Sequence, residues 1–158
     1  MTAGIERSFT RRLREEAAPV LSQIAFVFDG RRTFRRFPEG RACAQIVNFQ
    51  LGDRFLSGQF TVNVAVYDPA RGGAGVDPKK ALEHHCAPAL RQRLGFLMPG
   101  RLRALERLPI AGMFFRPRDT WWPADDATAI TAATEAVIAY GVPWLEARTP
   151  GESGPSWR

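Results

Sequence analysis

The sequence has no apolar run of about 18 residues, so no segment of it reads as a membrane-spanning helix. Its opening stretch, Met1 to Arg14, is charged and lacks the apolar core of about 7–15 residues that a secretory leader needs. The expected location is therefore cytoplasmic. Cysteine is scarce: Cys43 and Cys86 suit a reducing compartment, and nothing in their placement requires a disulfide. Lysine is scarcer still in proportion, since 22 residues are basic and all but Lys79 and Lys80 are arginine. Arginine does not lose its proton below about pH 12, so the isoelectric point of 10.3 overstates a moderate net charge of +6. That charge favours nucleic acid, anionic lipid or an acidic protein face; a GC-rich coding sequence produces the same arginine bias.

Also missing are the motifs that carry chemistry. There is no G-x-S-x-G elbow, no phosphate loop and no dinucleotide fingerprint; Gly72-Gly73-Ala74-Gly75 has no Lys-Ser/Thr behind it and reads as loop. No internal repeat and no domain boundary is visible. No cofactor is expected and no catalytic residue can be named.

What is present is a globular pattern. A chain of 158 residues with 45% hydrophobic content has enough apolar surface for one core. Ile5, Phe9, Leu13, Ala17, Leu21 and Ile24 recur every three or four residues, with Arg7, Arg11 and Arg14 elsewhere on the wheel. This predicts an amphipathic helix, kinked or restarted at Pro19. After Ile24 the period changes to two. Asp29-Gly30 separates Phe26-Val27-Phe28 from Arg32 to Phe37, a hairpin signal. Pro38-Glu39-Gly40 makes a second turn, Ala42 to Leu51 a third strand, and Gln59 to Tyr67 a fourth. In the fourth, Phe60, Val62, Val64 and Val66 alternate with Thr61, Asn63 and Ala65, which predicts one buried face and one wetter face.

Asp68 to Pro78, rich in glycine, reads as a mobile surface loop. From Lys79 to Arg118 four prolines interrupt the pattern, so short helical and extended pieces are expected, with a further strand near Ile110 to Phe115. Asp125-Asp126 marks a helix start. Ile130, Ala133, Val137 and Tyr140 form its stripe, and Gly141 with Pro143 is expected to end it. The predicted fold is α+β, an antiparallel four- to five-stranded meander packed with an N-terminal and a C-terminal helix. Residues 1–148 form one domain and 149–158 a flexible tail.

Several clusters could carry function. His84, His85 and Cys86 are metal-type ligands, but three adjacent residues cannot all face one ion, so no metal is expected. A buried cysteine beside two surface histidines accounts for them, and an enzyme using His84, His85 or Cys86 is the alternative. Arg31, Arg32, Arg35 and Arg36 split across two faces of a strand. Arg91, Arg93, Arg101, Arg103 and Arg107 fall where direction is unreadable. Trp121-Trp122 is either a binding hot spot or a plug with one ring in and one out. On the sheet, Asn48 and Gln50 share one face of the third strand, and Thr61 and Asn63 share the face opposite the valines. If these coincide, with Arg31 or Arg35 beside them, fixed amide donors and acceptors line one surface suited to a polar ligand or a partner's backbone.

Ile46-Val47-Asn48-Phe49-Gln50 followed by Phe60-Thr61-Val62-Asn63-Val64 resembles a bacterial family, the domain of unknown function numbered 4304. Phe34-Arg35-Arg36, Arg91-Gln92-Arg93-Leu94-Gly95, Asp119-Thr120-Trp121-Trp122 and Pro143-Trp144-Leu145 continue the resemblance in the same order, from about Ile5 to Arg148. It implies a small cytoplasmic bacterial protein and makes Asn48, Gln50, Asn63 and the Trp pair family features. It brings no activity and no cofactor. The expectation is a non-enzymatic binding protein, an immunity-type or regulatory partner of another bacterial protein, using Asn48, Gln50, Thr61, Asn63, Arg35, Trp121 and Trp122. Nucleic-acid binding through the arginine clusters is the alternative; no membrane partner is expected, and the oligomeric state is unknown.

Overall fold

The first hairpin is shaped by one carboxylate. In the computed structural model, which describes residues 2–99 and 119–151, Asp29 Oδ1 accepts the backbone N–H groups of Arg31, Arg32 and Thr33 at 2.8, 3.1 and 3.1 Å. Gly30 takes the left-handed conformation (φ 82°) that glycine reaches without strain. This turn joins β1 (Val27–Phe28) to β2 (Thr33–Arg36). Strand β3 (Ala44–Leu51) then pairs with β4 (Gln59–Tyr67) from Ala44↔Tyr67 to Leu51↔Phe60. β5 (Arg91–Arg93) pairs with β4 through Asn63↔Arg93, and β6 (Trp122–Pro123) pairs with the start of β4 through Phe60↔Trp122. All pairs are antiparallel, and β1 to β5 stand side by side in chain order. The α+β meander predicted from sequence is the observed fold.

Two helical rods cover one face. The first runs α1 (Thr2–Arg12), a π turn (Leu13–Ala17) and α2 (Ala18–Ser22); the second runs α3 (Ala129–Ala136), a π turn (Val137–Gly141) and α4 (Val142–Arg148). In each rod the residue before a proline makes the wide hydrogen bond: Ala18 N–H reaches Leu13 O, and Val142 N–H reaches Val137 O. Pro19 and Pro143 have no N–H, and their rings would clash with the carbonyl four residues back in a regular helix. Widening the turn removes the clash. Pro19 thus restarts its helix as expected. Pro143 does the same, which corrects the expectation that Gly141 and Pro143 end the last helix: the rod continues to Arg148.

The π turns also explain the spacing of the buried residues. Phe9, Leu13, Ala17 and Leu21 recur every four, as do Ala133, Val137, Gly141 and Leu145. In a regular α-helix four residues turn about 400°, so such a row drifts by about 40° per step. A π turn winds less per residue and brings the row back to the sheet.

Between rods and sheet lies the main core. Phe34, Val47, Phe49, Phe60, Val62, Val64 and Val66 meet Phe9, Leu13 and Leu21 from the first rod and Ile130, Val137 and Leu145 from the second. Burying each such side chain contributes about 1.5–3 kcal/mol. Rings cross the sheet in a row: Phe28–Phe34, Phe34–Phe49, Phe49–Phe60 and Phe60–Trp122, with centroids 4.6, 5.7, 6.1 and 5.6 Å apart. One side chain ties the rods together: Arg12 donates to the carbonyls of Ala124, Asp126 and Ala127, just before α3. Asp126 in turn accepts the Thr128 N–H and hydroxyl, which hold its carboxyl below the usual range and start α3 as the acidic pair predicted.

The other face of the sheet is not the wet one expected. Every residue of β4 from Phe60 to Tyr67 is buried, on both faces. Segment 76–86 folds back over one end of the second face, where Ala81, Cys86 and Val76 pack on Ala44, Ile46, Ala65 and Tyr67. Thr61 and Asn63 tolerate burial because each finds a partner, as described below. Residues 79–99 are the short pieces expected, with single turns at Glu83–His85, Pro88–Leu90 and Leu94–Phe96 around β5. The strand expected near Ile110 to Phe115 lies outside the described residues, as do Arg101, Arg103 and Arg107. At the start of the expected tail Thr149 is buried, its hydroxyl accepting from Gln45 Nε2 at 2.6 Å and donating to Leu145 O at 2.7 Å.

Candidate functional site

Strand pairing brings the polar residues of β2, β3 and β4 to one face. Asn48 lies opposite Asn63, and Gln50 opposite Thr61. Their hydrogen bonds divide them. Asn48 Nδ2 donates to Thr33 Oγ1 at 3.0 Å, and Thr61 Oγ1 donates to Thr120 O at 3.0 Å. Asn63 Nδ2 donates to Gln50 Oε1 at 2.9 Å, which leaves the Asn63 carbonyl and the Gln50 amino group free among the described residues. Arg35 is on the same face but under segment 76–86, where it is 7% exposed and donates from Nε to Ala81 O at 2.8 Å. It lies outside the open part of the face.

Two motifs distant in sequence complete the surface. Arg93 forms an ion pair with Asp119 Oδ2 and lies 5.4 Å over the Trp121 ring, whose Nε1 donates to the same carboxylate oxygen at 3.1 Å. Gly95 lets residues 119–121 approach, because a Cβ there would stand 2.2 Å from Thr120 N. The Trp pair straddles the sheet: Trp122 stacks on Phe60 in the core, and Trp121 sits with Arg93 on the polar side. Both rings are half-buried.

Beside β5 the face opens into a depression of about 350 Å³, lined by Gln50, Asn63, Glu83, His84, Arg91, Gln92 and Arg93. A somewhat larger hollow of about 400 Å³ lies by the end of α4. There Arg36 Nε donates to Gln45 Oε1 and Arg36 Nη2 to Glu146 Oε1 at 3.2 Å, while Arg41 Nε is buried without an acceptor among the described residues. The depression beside β5 has open groups of both charges. Among the described residues Arg91 makes no hydrogen bond or ion pair, and Glu83 Oε2 is buried without a donor. From sequence, Arg91 and Arg93 belong to a cluster without direction and to one of the segments that carry the family resemblance. Arg91-Gln92-Arg93 has no apolar residue to mark it as a strand, so no strand signal was available there.

The arginines expected to serve nucleic acid are partly committed elsewhere. Arg35 and Arg36 face opposite ways, as the strand period predicts, and both bond internally. Arg31 and Arg32 sit in the turn rather than on the strand.

His85 Nδ1 accepts the Leu82 N–H at 3.0 Å, and its ring lies 4.1 Å from that of His84. No group of three ligating side chains able to hold a metal ion occurs among the described residues. Both thiols are buried and free. Burial, and then the Glu83 charge, push Cys86 from 9.0 up to about 12, while burial and Asp68 raise Cys43. The thiolate is the nucleophile, so Cys86 at pH 8 should alkylate with iodoacetamide about a thousandfold more slowly than in the unfolded chain. Folding that raises a thiol pKa favours the protonated form. Stability should therefore be level below pH 9 and fall from 9 towards 12, as the unfolded chain releases a proton that the fold retains. Urea titrations across that range check this, and a fall left unchanged by Cys86→Ala would overturn it.

Fold and site together define an α+β domain of one antiparallel meander, with helices on one face and a partly roofed polar surface on the other. The chain belongs to the family described as a domain of unknown function, DUF4304, whose model matches residues 17–147. No curated protein and no solved structure matches it. No helix among the described residues is long and apolar enough to cross a membrane.

Proposed function

We propose that this is a non-enzymatic binding protein, an immunity-type or regulatory partner of another bacterial protein in the cytoplasm, and that it binds through the open part of the polar sheet face. One observation carries the reading: unspent hydrogen-bonding groups converge there. Gln50, Asn63, Glu83, His84 and Arg91 share one depression, on a wall held rigid by the Arg93–Asp119–Trp121 contacts. Groups that serve only folding are normally partnered when buried, so a buried carboxylate oxygen and a guanidinium in one lining, each without a partner among the described residues, favour an external partner. Among the described residues the lining contains no hydroxyl or thiol nucleophile, which favours binding over covalent chemistry. Of the residues first singled out, Gln50 and Asn63 line the depression. Trp121 contacts Arg93 of the lining, while Asn48, Thr61, Arg35 and Trp122 are outside the lining.

Arg91 is exposed and its side chain has no partner among the described residues, so Arg91→Glu should leave the fold intact. Affinity capture from the native lysate, with wild type and with the Arg91→Glu and Gln50→Ala variants, tests the reading. A partner recovered by wild type and lost from both variants is expected. Recovery of the same proteins by all three would overturn it.

A further inference from the structure

The depression beside β5 carries two unspent opposite charges and an unspent amide pair. Glu83 Oε2 is buried without a donor, and Arg91 has no acceptor among the described residues. They line one cavity yet form no ion pair with each other. A carboxylate that lines a cavity is best met by a charged donor, and a guanidinium by a planar carboxylate that takes two of its N–H groups. In the same lining, the Asn63–Gln50 bond leaves one amide carbonyl and one amide NH₂ without a hydrogen-bond partner among the described residues. A free acceptor beside a free donor matches the N–H and C=O of a peptide unit.

We infer that this cavity holds a small zwitterion of the amino-acid or dipeptide class, its carboxylate on Arg91, its ammonium on Glu83, and any peptide group on Asn63 and Gln50. The inference rests on the reading that the open sheet face is the binding site, and it specifies the ligand. The volume of about 350 Å³ lies at the small end of ligand pockets. Phosphate-bearing ligands fit less well. Arg93 is already neutralised by Asp119, so among the described residues of the lining one unpaired guanidinium remains, and the Glu83 carboxylate repels a dianion.

Isothermal titration of the full chain tests this with glycine, L-alanine, L-alanyl-L-alanine, its N-acetyl and C-amide forms, and inorganic phosphate. Saturable binding of at least one uncapped compound is expected, weakened about tenfold or more by either cap. Arg91→Gln should weaken the uncapped dipeptide but not the C-amide, and Glu83→Gln should weaken it but not the N-acetyl form. Circular dichroism of each variant should match wild type. No saturable heat from any uncapped compound at about 10 mM, capped forms binding equally well, or tighter binding of phosphate would each overturn the proposal. If dipeptides fail while lysate capture still depends on Arg91, the ligand class falls and the binding face stands. If capture is also insensitive to Arg91, both fall.

Discussion

Gly95→Ala should cost about 3 kcal/mol of folding stability, at the upper end of what overpacking a tight site does. The added Cβ would stand 2.2 Å from Thr120 N and 2.9 Å from Thr120 Oγ1. The nearest atom is backbone, so no side-chain rotation relieves the contact. Residues 119–121 must move, and moving them strains the Thr61–Thr120 bond and the Arg93–Asp119 pair that hold the polar face. Gly4 is the control. It lies in α1 with nothing within 4 Å of its would-be Cβ, so Gly4→Ala should stabilise by up to about 1 kcal/mol. Urea unfolding of the two variants should move the midpoint in opposite directions. Equal midpoints would refute the close approach at Gly95.

Arg12→Ala should be similarly damaging, by about 2–3 kcal/mol. Nη1 donates to Ala124 O at 2.9 Å, Nη2 to Asp126 O at 2.9 Å and Ala127 O at 3.1 Å, and Nε to Glu16 Oε1 at 2.7 Å. Hydrogen bonds from a charged donor contribute about 1.5–3 kcal/mol. The outer carbonyls can be rehydrated after truncation, which keeps the total near a single strong bond or two. Lysine has one compact ammonium where the guanidinium is a fork, so it cannot span three carbonyls and a carboxylate. Arg12→Lys should recover at most half of the loss in thermal or urea unfolding. Full recovery would mean that charge alone, not the fork, joins the rods.

Much of the sheet was legible because its signals are local. Asp29-Gly30, Pro38-Glu39-Gly40 and the valine alternation of β4 each act over a few residues, and the two turns, the strand and its buried face are all present in the structure. What burial does to a polar residue is not local. Thr61 and Asn63 read as a wet face because they are polar. They are buried because Thr120, 59 positions away, and Gln50 satisfy them. The role of Arg12 is not local either, its acceptors being 112 to 115 residues distant. The depression was half legible: β3 and β4 announced Gln50 and Asn63, whereas Glu83 and Arg91 come from a stretch with no period to read. Gly141 and Pro143 were misread because a glycine–proline stop and a proline absorbed by a π turn look alike in sequence.

The paired π turns have a consequence for how chain length is distributed. Each amounts to a single inserted residue taken up within one turn, with regular helix resuming on the far side. The same accommodation occurs in both rods, next to Pro19 and next to Pro143, and in both it keeps a four-residue row facing the sheet. In the helical layer, then, part of the fit to the strands is achieved by the number of residues per turn, independently of which side chains fill the interface.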